Sequence, residues 1–63
     1  MTGRKDLGEV VRMHRLKCSY TRYYLAIKTN VHPSLITRIE RGERGINPQL
    51  LILICKTLDI KKV

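Results

Sequence analysis

Residues 21–42 read TRYYLAIKTNVHPSLITRIERG, a pattern that predicts two short helices joined by a tight turn, and the rest of the chain is expected to support this pair. Thr21 is a good N-cap for the first helix, since its hydroxyl can accept a hydrogen bond from a free backbone N–H. Leu25 and Thr29 follow at the spacing of a buried helical stripe. Asn30 tolerates the left-handed backbone conformation that ends a helix, so we expect the chain to turn sharply there.

The second helix of the pair is predicted at 33–41. Pro33 suits the first helical position, where no backbone N–H is needed, and His32 is then the N-cap. Gly42 marks the end of this helix. One face carries apolar residues and an acid, and the other carries small, polar and cationic residues. The inward set is Ile36, Ile39 and Glu40, and the outward set is Pro33, Ser34, Thr37, Arg38 and Arg41.

This pattern resembles the helix-turn-helix of the lambda-repressor/Cro-type (XRE) family of DNA-binding proteins. The likeness is carried by TRxxLA at 21–26, VHPSLITRIERG at 31–42, LGEVVRMHR at 7–15 and the apolar or small residues Leu51, Ile54, Cys55 and Leu58. The chain departs from the family at Arg22, where Gln is common, and at Asn30, where Gly is common. The resemblance implies an all-α fold, a compact four- to five-helix bundle with a helix-turn-helix, in one domain.

The resemblance also implies that the 33–41 helix enters the major groove of DNA. Hydroxyls there can hydrogen-bond several bases, and an arginine can donate to guanine O6 and N7, so Arg38 is the leading candidate for discrimination. The expected base-reading residues are Pro33, Ser34, Thr37 and Arg38. Residues near the helix N-termini and the following loop are expected to meet phosphate instead. This second set is Thr21, Arg22, His32, Arg41, Arg44 and Asn47.

The first helix carries a cation on its apolar stripe. Asp6 is a plausible cap for this helix, which is expected to run to about Lys17. Residues 1–5 are expected to form a basic arm that either reaches toward a groove of the duplex or is a frayed terminus. Arg15 shares the inward face, and an inward cation needs a partner. Glu40 is likewise a charged residue on the inward face of the 33–41 helix. We expect the two to form a structural ion pair, as the resemblance also implies.

Composition favours a nucleic-acid partner. The 63 residues include 13 Lys and Arg against 5 Asp and Glu, a net charge of +8 that attracts polyanions, with anionic membrane as the weaker alternative. No apolar run approaches the ~20 residues of a spanning helix, and no signal peptide is visible. Cys18 and Cys55 are far apart and unaccompanied, so we expect free thiols in a reducing cytoplasm. The family resemblance implies a prokaryotic or phage context.

Six apolar residues run without interruption at 50–55, more than one face of a helix can bury in so small a core. The surplus set is expected to be Leu50, Ile52 and Leu53. A second buried surface would explain them: a fifth helix after Asp59, a second copy of the chain, or a further C-terminal domain. Residues 60–63 are too few to cover this face, so we expect either that the chain is a fragment of a longer protein or that it dimerises through this face.

The leading hypothesis is a sequence-specific transcriptional regulator, most simply a repressor on a near-palindromic operator. An alternative is an antitoxin or restriction-modification controller subunit, which would bind operator DNA and hold a protein partner on the surplus apolar face. A third is a retained fold that only docks protein. No catalytic constellation is readable, so we expect no enzyme activity, no cofactor and no small-molecule site. His14 and Cys18 are spaced for a shared metal, but a structural site normally needs four ligands, so none is expected.

Overall fold

The computed structural model describes residues 3–60, excluding the side chain of Arg4, and this part of the chain contains four helices and no strand. They are α1 (Arg4–Lys17), α2 (Arg22–Thr29), α3 (Pro33–Glu40) and α4 (Pro48–Leu58). Helix α2 packs against α3 and α4, and α1 packs against α3. The all-α prediction with a helix-turn-helix at α2–α3 is confirmed, and no fifth helix occurs within residues 3–60.

The first helix begins earlier than the sequence predicted. Gly3, with an extended backbone, is its N-cap, and the Leu7 N–H donates to the Gly3 carbonyl at 2.9 Å. Asp6 is therefore not the cap; it lies inside the first turn, where its negative charge suits the helix dipole. The expected arm at 1–5 is wrong for Arg4 and Lys5, which are helical, and its first two residues lie outside the described range.

All four helices end in the same way. The residue that follows the last turn adopts a left-handed conformation: Ser19 (φ 59°), Asn30 (φ 57°), Gly42 (φ 76°) and Asp59 (φ 57°). In each case the next residue's N–H then donates to a carbonyl five residues back, as the Val31 N–H does to Ala26 at 3.0 Å. This bond satisfies a carbonyl that the end of the helix leaves free. The predicted roles of Asn30 and Gly42 are confirmed.

The core is aliphatic, because the chain has no Phe or Trp to fill it. Helix α2 contributes Leu25 and Ala26, and Thr29 is buried with them, as the sequence predicted. The Thr29 hydroxyl donates to the Leu25 carbonyl at 2.8 Å, so this buried polar group is satisfied. The buried apolar residues are Val11, Leu25, Ala26, Ile36, Ile39, Leu50, Ile54, Leu58 and Ile60.

Helix α4 buries a different stripe from the predicted one. Leu50, expected to be surplus, is only 7% exposed and joins the core, whereas Leu51 is half-buried. Asn47 and Pro48 start the helix in a phase that places residues 50, 54 and 58 on one line at i, i+4 and i+8. Ile52 and Leu53 do remain exposed, at 56% and 43%. The surplus apolar surface is therefore narrower than expected and consists of these two residues.

Candidate nucleic-acid interface

The first turn of α3 is fixed by a residue that precedes the helix. His32 is the N-cap, as predicted, and its Nδ1 accepts the Ser34 N–H at 3.1 Å. An accepting Nδ1 carries no proton, so the ring proton is on Nε2 in this arrangement. The Ser34 hydroxyl lies 2.8 Å from the same nitrogen. Pro33 occupies the first helical position, where its missing N–H costs nothing.

The outward face of α3 carries the side chains expected to read bases. Ser34 and Arg38 are exposed, and Pro33 and Thr37 are half-buried. The Thr37 hydroxyl donates to the Pro33 carbonyl at 3.3 Å, and the Ser34 hydroxyl can donate to the His32 ring. With their hydrogens used internally, both hydroxyl oxygens still keep free lone pairs. This face therefore offers two acceptors and one guanidinium donor.

A cationic loop follows α3. Arg41, just after α3, and Arg44 are both exposed. An open cleft lies between the end of α3 and the start of α4, and its lining is Arg38, Glu43, Arg44, Gly45, Ile46 and Asn47. The Asn47 side chain accepts the Leu50 N–H at 2.8 Å, so it caps α4. Arg38 therefore belongs both to the outward face of α3 and to this cleft.

The N-terminus of α2 is the third part of the site. The Thr21 hydroxyl accepts the Tyr24 N–H at 2.9 Å and caps the helix as predicted. Arg22 is the first helical residue, and its side chain is 43% exposed. Because the cap atoms of Thr21, His32 and Asn47 accept backbone N–H groups, any phosphate contact at these positions would come from neighbouring amides or from a second atom of the side chain.

Beneath this surface lies a buried ion cluster. Arg15 and Glu40 form the expected pair: Arg15 Nε lies 2.7 Å from Glu40 Oε2, and Nη2 lies 3.1 Å from Oε1. The remaining Arg15 nitrogen, Nη1, donates to the Tyr20 carbonyl at 2.7 Å. A third member was not expected, because Arg22 Nε also donates to Glu40 Oε1, at 3.0 Å. Eighteen residues separate Arg22 from Glu40, so no local spacing reveals this contact.

Three tyrosines, at positions 20, 23 and 24, lie at the start of α2. The Tyr20 and Tyr24 rings are 4.5 Å apart between centroids, and the Lys28 Nζ lies 5.4 Å from the Tyr24 centroid. Tyr23 and Ile27 are exposed one turn apart. The cation over an aromatic face contributes about 0.5–1 kcal/mol at an exposed site.

Two other kinds of site are not found in the described part of the chain. Between residues 3 and 60, no three His, Cys, Asp or Glu side chains are grouped so that they could hold a metal ion. Over the same residues, none of the helices has the length and apolar character needed to cross a bilayer. Cys18 and Cys55 are both free thiols packed against the core.

The fold, the cap arrangement and the exposed outward face of α3, with its arginine, together define a helix-turn-helix protein. The Helix-turn-helix family model matches residues 11–62, so the chain belongs to this family of DNA-binding transcription regulators, and the resemblance to its lambda-repressor/Cro-type (XRE) members is confirmed. No curated protein matches the sequence.

Solved structures give the same result. The chain is similar to the clp gene regulator ClgR from Corynebacterium glutamicum, at 30% identity and a TM-score of 0.87, covering 89% of this chain and 60% of that one. A second ClgR structure has a TM-score of 0.85 at the same identity, with coverages of 89% and 72%. A mutant of the Restriction-Modification Controller Protein C.Esp1396I has 30% identity and a TM-score of 0.85, covering 94% and 79%. The chain thus spans about three-fifths of the first ClgR chain.

Proposed function

We propose that this protein binds double-stranded DNA sequence-specifically as a transcriptional repressor, with α3 in the major groove. The observation that carries the proposal is the two-sided character of α3. Its inner side, with Ile36 and Ile39, is fixed in the core, whereas Ser34 and Arg38 are exposed on the other. The net charge of +8 supports a polyanionic partner. The bacterial ClgR likeness supports a prokaryotic or phage cytoplasm as the setting.

Base reading would follow from the hydrogen-bonding character of the exposed face. Arg38 can donate two bonds to guanine O6 and N7, which is worth about 1–3 kcal/mol against a wrong base. Ser34 and Thr37 have hydroxyl oxygens that can accept, and the matching donors in the major groove are the amino groups of adenine and cytosine. Pro33 has no N–H and would contribute shape or contact with a thymine methyl group.

Phosphate contacts would hold this face in register without reading sequence. Arg22, Arg41 and Arg44 supply positive charge beside the amides at the starts of the helices. Thr21, His32 and Asn47 sit at those starts as the N-caps of α2, α3 and α4. The positive end of each helix dipole favours an anion at the same place.

A homodimer on a near-palindromic operator is part of the proposal, because one helix reads too few base pairs to select a genomic site. Half-sites would then be about 34 Å apart, one turn of the duplex. Ile52 and Leu53 are the candidate dimer contacts on α4, since both are apolar and exposed. A further C-terminal domain in a longer chain is the other candidate for covering them.

The test is selection of bound duplexes from a random pool, followed by affinity measurements on selected and scrambled duplexes at several salt concentrations. Arg38→Ala is expected to weaken the selected duplex by about tenfold or more and the scrambled duplex far less. Arg44→Ala, the matched control, is expected to weaken both alike and to reduce the salt slope by about one. Failure to bind any duplex in dilute buffer would refute the function; equal losses for Arg38→Ala would refute its reading role.

The second candidate is a restriction-modification controller subunit, favoured by the similarity to C.Esp1396I. A controller subunit would bind DNA through the same face of α3 as the repressor. It would in addition bind a protein partner through Ile52 and Leu53. A nuclease or toxin gene beside this one, together with a complex between the two products that Leu53→Ser disrupts, would select this candidate. If the product of the neighbouring gene does not bind the purified protein, the controller-subunit candidate is excluded.

A further inference from the structure

Glu40 holds two guanidinium groups, and only one of them is needed to neutralise it. Its side chain is 1% exposed, so an unpaired charge there would be costly. Arg15 already meets that need, because two of its nitrogens bond the two carboxylate oxygens and the third bonds the Tyr20 carbonyl. No nitrogen of Arg15 is left over. The presence of Arg22 at the same carboxylate therefore needs another explanation.

Arg22 uses only one of its three nitrogens within the described residues. Its Nε donates to Glu40 Oε1, and neither Nη group has a hydrogen-bond partner in residues 3–60. The guanidinium is planar, so fixing the Nε–H also fixes the plane in which the Nη donors lie. The side chain is 43% exposed, so those donors are accessible to a ligand. The Nε of Arg22 is thus bonded to Glu40, and the two Nη groups are accessible to a ligand.

The charge balance indicates which ligand fits. Two guanidiniums against one carboxylate leave a surplus of +1, and the surplus lies with Arg22 because Arg15 is enclosed. The two cations share Oε1 and repel each other, and an anion on the outer side of Arg22 would relieve that repulsion. Arg22 is also the first residue of α2, where the helix dipole is positive.

We propose that Arg22 bridges a phosphate of duplex DNA to the buried Glu40 carboxylate, so that one guanidinium couples the backbone contact of α2 to the position of α3. The proposal rests on the DNA-binding function proposed above. Arg22 is the first residue of α2 and Glu40 the last of α3, so the bridge spans the two helices of the motif. A phosphate that holds Arg22 then holds the end of α3 through Glu40. Glu40 is a positioning residue here, since it does not touch DNA.

The test separates the bridge from simple charge by comparing Arg22→Lys with Arg22→Gln on the selected duplex. Lysine keeps the charge but has no planar fork that can bond the carboxylate and a phosphate in fixed directions. Arg22→Lys is expected to lower affinity about tenfold while leaving the salt slope unchanged. Arg22→Gln is expected to lower affinity at least as much and to reduce the slope by about one. Wild-type affinity in Arg22→Lys would overturn the bridge.

A double-mutant cycle with Glu40→Gln tests the coupling. The variant adds one positive charge, so a purely electrostatic account predicts tighter binding, whereas the bridge predicts weaker binding of about tenfold. Together with Arg22→Gln, the loss should be no greater than that of Arg22→Gln alone, while the matched pair with Arg44→Gln should be additive. Additive losses with Arg22→Gln would overturn the coupling. Thermal unfolding must first show that each variant is folded at the assay temperature.

A measurement on the unmodified protein covers the case in which Glu40→Gln does not fold. The Arg22 Nε–H should give a protected resonance by NMR in the free protein, and this resonance should persist in the DNA complex. Its loss on binding would show that the guanidinium leaves Glu40, and the bridge would be wrong. A wild-type protein that binds no duplex at all would refute the function instead, so the two failures are distinguishable.

Discussion

Gly8 of α1 packs directly against the carbonyl oxygen of Ile39 in α3. A Cβ atom at position 8 would overlap that oxygen and would lie 3.1 Å from the Glu40 carbonyl oxygen. Both obstacles are backbone atoms, which cannot swing aside as the end of a long side chain can. The close approach of α1 to the end of α3 therefore requires glycine, and it occurs beside the Arg15–Glu40 pair.

The first prediction follows from that contact. Gly8→Ala should lower the free energy of unfolding by about 1–3 kcal/mol, although alanine is the better helix former by about 1 kcal/mol. Thermal unfolding followed by circular dichroism measures the change. Glu9→Ala changes an exposed neighbour that makes a 3.9 Å surface ion pair with Arg12, and it should stay within about 0.5 kcal/mol. A more stable Gly8→Ala protein would mean that the helices are not so close.

The second prediction concerns the cap of α3. His32→Ala removes the Nδ1 acceptor of the Ser34 N–H and should cost about 1 kcal/mol, whereas His32→Asn supplies another acceptor and should cost much less. In a domain of this size 1 kcal/mol lowers the melting temperature by about 4–8 °C. Equal melting temperatures for the two variants would show that the imidazole does not act as the cap.

The third prediction uses Ser19, which ends α1 with a φ of 59°. Glycine adopts this conformation without strain, but it also makes the unfolded chain more flexible, so Ser19→Gly should raise stability by no more than about 0.5–1 kcal/mol. Ser19→Val should lower stability by about 1–2 kcal/mol, because a β-branched residue is strained at positive φ. Chemical denaturation compares the two. A valine variant as stable as the glycine variant would contradict the left-handed turn.

The fourth prediction concerns the exposed apolar residues of α4. If Ile52 and Leu53 form the dimer contact, the wild-type protein should sediment as a dimer, and the double change Ile52→Ser with Leu53→Ser should give a monomer. The matched control is Met13→Ser with Leu16→Ser, which removes comparably exposed apolar side chains from α1 and should leave the mass unchanged. A wild-type monomer at tens of micromolar, both free and on the operator, would rule out this dimer face.

Local chemistry made most of the architecture predictable. The caps Thr21 and His32 and the left-handed stop at Asn30 were predicted correctly, because a cap or turn depends on residues within a few positions of it. The predicted cap Asp6 was wrong, because α1 begins earlier, at Gly3. The set of α4 residues that faces the core was not predicted correctly. Six consecutive apolar residues fit more than one inward stripe, and only packing against the other helices selects the one that contains Leu50.

Helical periodicity and backbone conformational preferences act over short stretches of chain, so residue types alone were enough to infer the four helices, the turn between α2 and α3, and the cationic outward face of α3. The requirement for glycine at position 8 and the sharing of Glu40 between Arg22 and Arg15 arise only from the packing of the helices against each other. Those relationships join residues that are distant in sequence, and they depend on how closely two helices approach. No pattern of residue types along the chain specifies that distance.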